Sequence, residues 1–137
     1  EAFRKALPMS HHRHAVQAAG APAPAGPYSH AVESNGLLFC SGQVPLDADS
    51  GSLVEGEIGD RTRKCLENLE AVCAAAGTSL DHAVRCTIYV TDMGQFGAVN
   101  EAYGAYFRAD PPARVTVGVA ALPLGADVEI EAVVAVS

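Results

Sequence analysis

The sequence predicts an α+β fold, a sheet with two helices packed on one face, in the order ββαβαββ. Three observations point there. Two stretches place apolar residues at helical spacing, with a β-branched run between them. An Asn-Gly pair joins two short strand-like runs near the start of the patterned region. Two runs near the C-terminus alternate with period two. Consecutive strand pairs that alternate with helical crossovers give a sheet with its helices on one side.

Residues 1–24 read as a flexible N-terminal arm, or an appended extension with Met9 as a native start. Basic residues and the run His11-His12-Arg13-His14 lead into an Ala/Pro/Gly tract, and no hydrophobic periodicity runs through them. Histidines in such a cluster are read as surface residues, and no metal site is expected. The domain is expected over 25–137. Ser29–Glu33 and Leu37–Ser41 are predicted strands joined at Ser34-Asn35-Gly36. Residues 43–57, rich in Pro, Asp, Gly and Ser, form a loop.

The first helix is expected from about Gly59 to Ala76. Ile58, Leu66, Leu69, Val72, Cys73 and Ala76 recur on one side, and Gly77 supplies the stop. Ala83–Thr91 is a strand. Asp92 is placed to cap a second helix, about Gly94 to Arg108, whose face is Phe96, Val99, Tyr103 and Phe107. Pro111-Pro112 ends that helix. Val115–Ala120 and Val128–Val136 are the last strands, turned by Leu122-Pro123-Leu124-Gly125. Val115 and Val117 alternate with Arg114 and Thr116. Val128, Ile130, Ala132 and Val134 alternate with Glu129 and Glu131. In both strands the apolar set is expected under the helices. The other face mixes small, polar and charged groups and leans toward contact with another subunit.

The 137 residues suit one domain with one core, and a hydrophobic content of 49% with 18% charged residues marks a globular chain. A net charge of −7 argues against a nucleic-acid binder that relies on a broad basic surface, yet leaves room for a small anionic ligand held by one arginine. No apolar run of roughly eighteen residues predicts a membrane span, and no apolar stretch of signal length follows the basic start, so a cytoplasmic location is expected. Cys40, Cys65, Cys73 and Cys86 form no CxxC and read as reduced hydrophobic residues, with Cys40 the thiol to test first for reactivity.

Arg114 is the residue that asks most of the fold. It enters a strand that should be buried, and a guanidinium cannot shed its charge, so an anion must meet it. Its planar fork suits a carboxylate, either an internal one, Glu129, or that of a small acid substrate. From the residues alone the two readings stand level.

Several stretches, in this order, resemble the reactive-intermediate deaminase family (RidA, also called YjgF). They are Gly26-Pro27-Tyr28-Ser29, Phe39-Cys40-Ser41-Gly42-Gln43-Val44-Pro45, Asn68-Leu69-Glu70-Ala71-Val72, Thr91-Asp92-Met93, and Phe96 with Val99-Asn100 and Tyr103. Pro112-Ala113-Arg114, Leu122-Pro123 and Glu129-Ile130-Glu131-Ala132 complete the set. Each is weak alone; together, in register, they are specific. The resemblance implies a chorismate-mutase-like fold and a homotrimer with a central barrel and active sites in inter-subunit clefts. It implies a cofactor-independent hydrolase of the 2-iminobutanoate/2-iminopropanoate deaminase type. Its substrates would be 2-aminoacrylate, 2-aminocrotonate and their imine tautomers, hydrolysed to 2-keto acid and ammonia.

Carried over by position, Arg114 is the carboxylate-binding arginine and Glu129 the glutamate near the reacting carbon. Tyr28, Ser41, Gly42 and Asn100 fall on other substrate-binding positions. Departures from the common pattern are Val115 where serine is frequent, Cys40 where threonine is, and His30 after Ser29. Tyr28 also reads as a core aromatic, Asn100 as a residue satisfying buried backbone, and His30 and His82 as surface or structural histidines. The alternative function is a non-catalytic trimeric regulator or chaperone of the same family that binds small carboxylates. An RNA-directed role is disfavoured by the charge. Lysines are confined to Lys5 and Lys64, so Schiff-base chemistry is not expected, and no phosphate loop or metal motif appears.

Overall fold

The computed structural model describes residues 12–136. Its strands are β1 (His14–Val16), β2 (Ala31–Ser34), β3 (Leu37–Gln43), β4 (Ala83–Val90), β5 (Ala113–Gly118) and β6 (Val128–Ala135). They form one sheet in the order β1-β2-β3-β6-β4-β5. Neighbours run antiparallel except β4 and β5, which are parallel and connected through a helix. The helices are α1 (Ile58–Ala75) and α2 (Phe96–Tyr106). The α+β class with two helices on a mixed sheet is therefore the observed one.

Local chemistry sets the boundaries. Asn35 and Gly36 both take positive φ, 53° and 77°, which a tight turn between twisted strands requires, and β2 pairs with β3 directly across it. The Glu57 amide donates to the Asp60 carboxylate at the start of α1. At the other end Gly77 adopts φ 79°. Its amide bonds Ala74 and the Thr78 amide bonds Cys73, closing the last turn. Before α2, the Asp92 side chain accepts from the Gly94 amide and caps a single 3₁₀ turn, Met93–Gln95, that leads into the helix.

The core lies between the helices and one face of the sheet. Leu66, Leu69, Val72 and Cys73 of α1 meet Leu38, Ile88, Ile130 and Val134 of the central strands, all fully buried. Cys40, Cys65 and Cys86 are buried in the same cluster, so none of the four thiols meets solvent freely. Burial pushes the Cys65 and Cys86 thiols up, which fits inert hydrophobic residues.

Two expectations are corrected. Residues 12–24 are no free arm. β1 pairs with β2 through His14 opposite Glu33 and Val16 opposite Ala31, and Ala18 and Ala21 are buried in the core; residues 1–11 lie outside the described residues. Edge pairing and two buried hydrogen bonds with the His30 ring, one accepted from the Ala18 amide and one made to the Pro22 carbonyl, hold this segment, and neither leaves a periodic sequence signature. The second correction concerns β5. Cys86 stands opposite Arg114 and Ile88 opposite Thr116, so Arg114 and Thr116 share the helix side with the buried residues of β4. Val115, 48% exposed, faces the open side instead. β5 is an edge strand, and α2 covers it with aromatic rings that accept a guanidinium.

Candidate active site

The sequence-predicted site residues fall into two groups, one on each face of the sheet.

The first group gathers on the open face around Glu129. Its backbone comes from the end of β3. The pairing with β6 slips there: Cys40 stands opposite Ala132, yet Gln43 stands opposite Ile130, so Ser41 and Gly42 sit in a bulge. Ser41 is tied back on both sides, its amide to the His30 carbonyl at 2.9 Å and its hydroxyl to the Ser29 carbonyl at 2.7 Å. Gly42 lies against Glu129 so closely that a Cβ would come within 2.9 Å of the carboxyl carbon. Only glycine leaves the carboxylate room.

Pro22, Pro24, Leu46 and Leu124 give this cleft most of its apolar lining, His30 and Gln43 also border it, and Tyr28 stands in its lining. Tyr28 is 46% exposed, which excludes the core-aromatic reading, and its hydroxyl accepts from the Ala25 amide at 3.1 Å. Burial, reinforced by the charge of neighbouring Glu131, holds the Glu129 carboxyl above the ordinary carboxylate range. Glu131 itself accepts a short hydrogen bond from the Tyr89 hydroxyl. That bond, with some burial, pushes the tyrosine up to about 12.

The second group lies on the helix face at the β5 edge. The Arg114 guanidinium carbon sits 4.9 Å from the centre of the Tyr103 ring and 5.6 Å from that of Phe96. Two aromatic faces thus carry a cation that, among the described residues, makes no ion pair. Asn100 projects from the same helix between those rings in sequence. Its side-chain oxygen is buried and has no hydrogen-bond partner among the described residues, and the same holds for the hydroxyls of Tyr103 and Thr116. Asn100 therefore does not serve to satisfy buried backbone through that oxygen. Asn100, Tyr103, Phe107, Pro112 and Arg114 line an open groove.

This division overturns the reading of Arg114 and Glu129 as a structural ion pair within one chain. Arg114 is opposite Cys86 on β4, and Glu129 is opposite Tyr89, three residues along the same strand. Alternation puts them on opposite sides of the sheet. It also removes the arginine expected to keep Glu129 ionised within one subunit, and the carboxyl is raised instead. Sequence reasoning placed Phe96 and Tyr103 in the core face of α2 and missed their role as a platform. The spacing of Phe96, Asn100 and Tyr103, one helical face with a polar residue between two rings, was the available signal.

Comparison with known proteins shows the family and the fold. Residues 18–136 match the family model described as Endoribonuclease L-PSP. Protein DfrA of Myxococcus xanthus is 48% identical over 123 residues, 88% of this chain and 94% of that protein. A mouse protein named 2-iminobutanoate/2-iminopropanoate deaminase is 44% identical over 121 residues, 88% of this chain and 90% of that protein. The crystal structure of YyfA, a protein of the conserved Rid family from Yersinia pestis, superposes with a TM-score of 0.88. It is 44% identical and covers 91% of this chain and 100% of that one. The chorismate-mutase-like fold class implied by the sequence resemblance stands. With the family model spanning nearly all of the described residues, the chain belongs to the endoribonuclease L-PSP family, the YjgF/RidA family.

Proposed function

We propose that this protein hydrolyses short 2-imino carboxylates and their enamine tautomers, such as 2-aminoacrylate and 2-aminocrotonate, to 2-keto acids and ammonia. The sites would lie in clefts between subunits of a homotrimer. One observation carries the reading. Arg114, set on an aromatic platform among orphaned polar atoms, and Glu129, set in an apolar cleft beside Gly42, each supply what the other lacks, and the sheet separates them within one chain. A second subunit that lays its β5 edge against the open-face cleft completes the site.

The chemistry then follows. Arg114 grips the substrate carboxylate with its fork, helped by the platform that fixes the guanidinium. The protonated C=N beside that carboxylate is itself the electrophile, so addition of water needs neither metal nor organic cofactor. Glu129, ionised, takes a proton from the attacking water as the C–O bond forms. The proton passes to nitrogen, the new hydroxyl gives its own proton to Glu129 as the C=O forms and the C–N bond breaks, and ammonia leaves, takes up that proton as ammonium and leaves a 2-keto acid behind. Gly42 and Ser41 hold the carboxylate and the substrate in place, and Tyr28 and Asn100 complete the pocket. The name of the mouse relative supports this class of reaction.

The test is direct. With 2-aminocrotonate or 2-aminoacrylate generated in situ, the protein accelerates loss of the absorbing enamine. Arg114→Ala lowers kcat/KM by about 10²–10³, the scale of a lost buried charge pair, while the oligomer persists. Unchanged kcat/KM in that variant refutes the assignment.

A further inference from the structure

We propose that His30 is a positioning residue: its neutral imidazole pins the segment 18–25 in place and so shapes the wall of the Glu129 cleft, setting substrate affinity. This rests on the deaminase reading for its kinetic consequence, though not for its structural one.

His30 immediately precedes β2 and is only 3% exposed. A buried imidazole needs partners for both nitrogens, and here both come from one short stretch of backbone. Nδ1 accepts from the Ala18 amide at 2.9 Å, and Nε2 meets the Pro22 carbonyl at 2.7 Å. Because one partner is an N–H and the other a carbonyl, the ring must be neutral with its proton on Nε2. The two bonds straddle a turn closed by the Ala21 amide on the Ala18 carbonyl. Segment 17–27 consists of Gln, Ala, Gly and Pro and has no charged group to anchor it. Ala18 and Ala21 bury little apolar area. The imidazole therefore supplies an anchor the sequence around it lacks.

What hangs from that anchor is the cleft. Pro22 to Ala25 line it, and the Ala25 amide donates to the Tyr28 hydroxyl. On its other side His30 gives its own carbonyl to the Ser41 amide, next to Gly42 and the Glu129 carboxylate. One residue thus joins the two walls between which the carboxylate lies: its side chain holds the Pro22–Ala25 wall, and its main chain holds the Ser41-Gly42 wall. Movement of the first wall changes the shape of the cavity without touching the reacting groups, so its consequence is in binding.

Three substitutions separate this from a merely structural role. His30→Gln keeps a donor and an acceptor on a side chain of similar reach. His30→Asn keeps both groups but is too short to span both partners. His30→Phe fills the volume and makes neither bond. Hydrogen exchange at the Ala18 amide and steady-state hydrolysis of 2-aminocrotonate generated in situ are measured on the full chain. Exchange at Ala18 is expected to quicken at least tenfold in the Asn and Phe variants and to stay near wild type in Gln. KM is expected to rise about tenfold in Asn and Phe with kcat within threefold, and Gln restores KM to within threefold of wild type. Wild-type protection of Ala18 in both Asn and Phe variants overturns the pinning. A loss confined to kcat, or one that Gln shares with Phe, overturns the positioning role. If the wild type turns nothing over, the deaminase reading fails and takes the kinetic consequence with it, while exchange at Ala18 still decides the pinning.

Discussion

Arg114 and Glu129 belong to adjacent strands' neighbours on one sheet yet project from its two opposite faces, Arg114 toward α2 and Glu129 toward the open side. In the proposed site, a substrate that touches both therefore bridges two chains. Subunits carrying Arg114→Ala still have an intact Glu129, and those carrying Glu129→Gln still have an intact Arg114. Each variant alone is expected to fall to about one hundredth of the wild-type rate or below. Co-refolded in equal amounts, they are expected to regain about one quarter of the wild-type rate if the proposed homotrimer forms at random, because one site in four then pairs a good arginine with a good glutamate. Assay of the mixture against the separate variants reads this directly. A mixture no more active than its components would show that one chain supplies both groups.

Gly42 leaves space for the carboxylate. A methyl group there meets the Glu129 side chain, 2.9 Å from its carboxyl carbon and 3.2 Å from the carbon before it. The chain does not adopt positive φ at this residue, so alanine adds no backbone strain. Gly42→Ala is expected to keep its Tm within a few degrees and to lose kcat/KM by on the order of tenfold or more through the displaced carboxylate. Circular dichroism melting and the enamine assay, run together, separate the two effects; a fall in Tm with no fall in rate contradicts the assignment.

Glu129 must be ionised to accept a proton, and burial followed by the charge of Glu131 raises its carboxyl. Burial keeps the proton on to higher pH, while the arginine that a second subunit brings to the proposed site pulls the other way, so kcat/KM is expected to show one acid limb whose position reads which of the two prevails. The same shift has a sign for stability. The folded chain holds this proton more tightly than the unfolded one, so the residue favours folding below the unfolded value, and that contribution is lost as pH rises through the folded value. Glu129→Gln is therefore expected to raise Tm at neutral pH and to gain nothing near pH 4 or below. Melting curves across that range check it; a gain that grows toward acid has the wrong sign.

How much of this could be read from residues alone depended on which force set each feature. The helices, the Asn35-Gly36 turn, the Asp92 cap and the Gly77 stop follow from local chemistry, and all stand within a few residues of expectation. The inward face of β6 was legible too, because Val128, Ile130, Ala132 and Val134 alternate cleanly. In β5 the same rule misled. Its valines face the open side and its arginine faces the helices, because aromatic rings on α2 solvate the guanidinium and no valine can replace that contact. β1 was illegible because three residues of edge pairing leave no period. The site residues could be named one by one, but their division between two faces is a property of register, and a one-residue change in pairing would have reversed it.

Asn68 shows how a motif residue acts through the loop that follows β3. It is 2% exposed on α1, and its amide nitrogen donates to the carbonyls of Val44 at 3.3 Å and Leu46 at 3.0 Å. Those two residues pack with Ala126 in a small cluster of their own, away from the main core, and both line the Glu129 cleft. From α1 the loop also receives a hydrogen bond farther along, from Arg61 Nε to the Val54 carbonyl at 3.1 Å. Asn68→Ala strands the Leu46 carbonyl, leaves the Val44 carbonyl with the Leu46 amide as its donor, and opens a void, so a loss of about 2–3 kcal/mol is expected. For a domain of this size that lowers Tm by on the order of 5–10 °C. Asn68→Leu fills the space and restores neither bond, so it is expected to recover only part of that loss. Because Val44 and Leu46 form a wall of the cleft, KM for the enamine should rise in both variants even at temperatures where they are fully folded. Thermal melts with kinetics at 25 °C decide it: an unchanged Tm in Asn68→Ala would mean that the loop is anchored by its own apolar cluster and not by the asparagine.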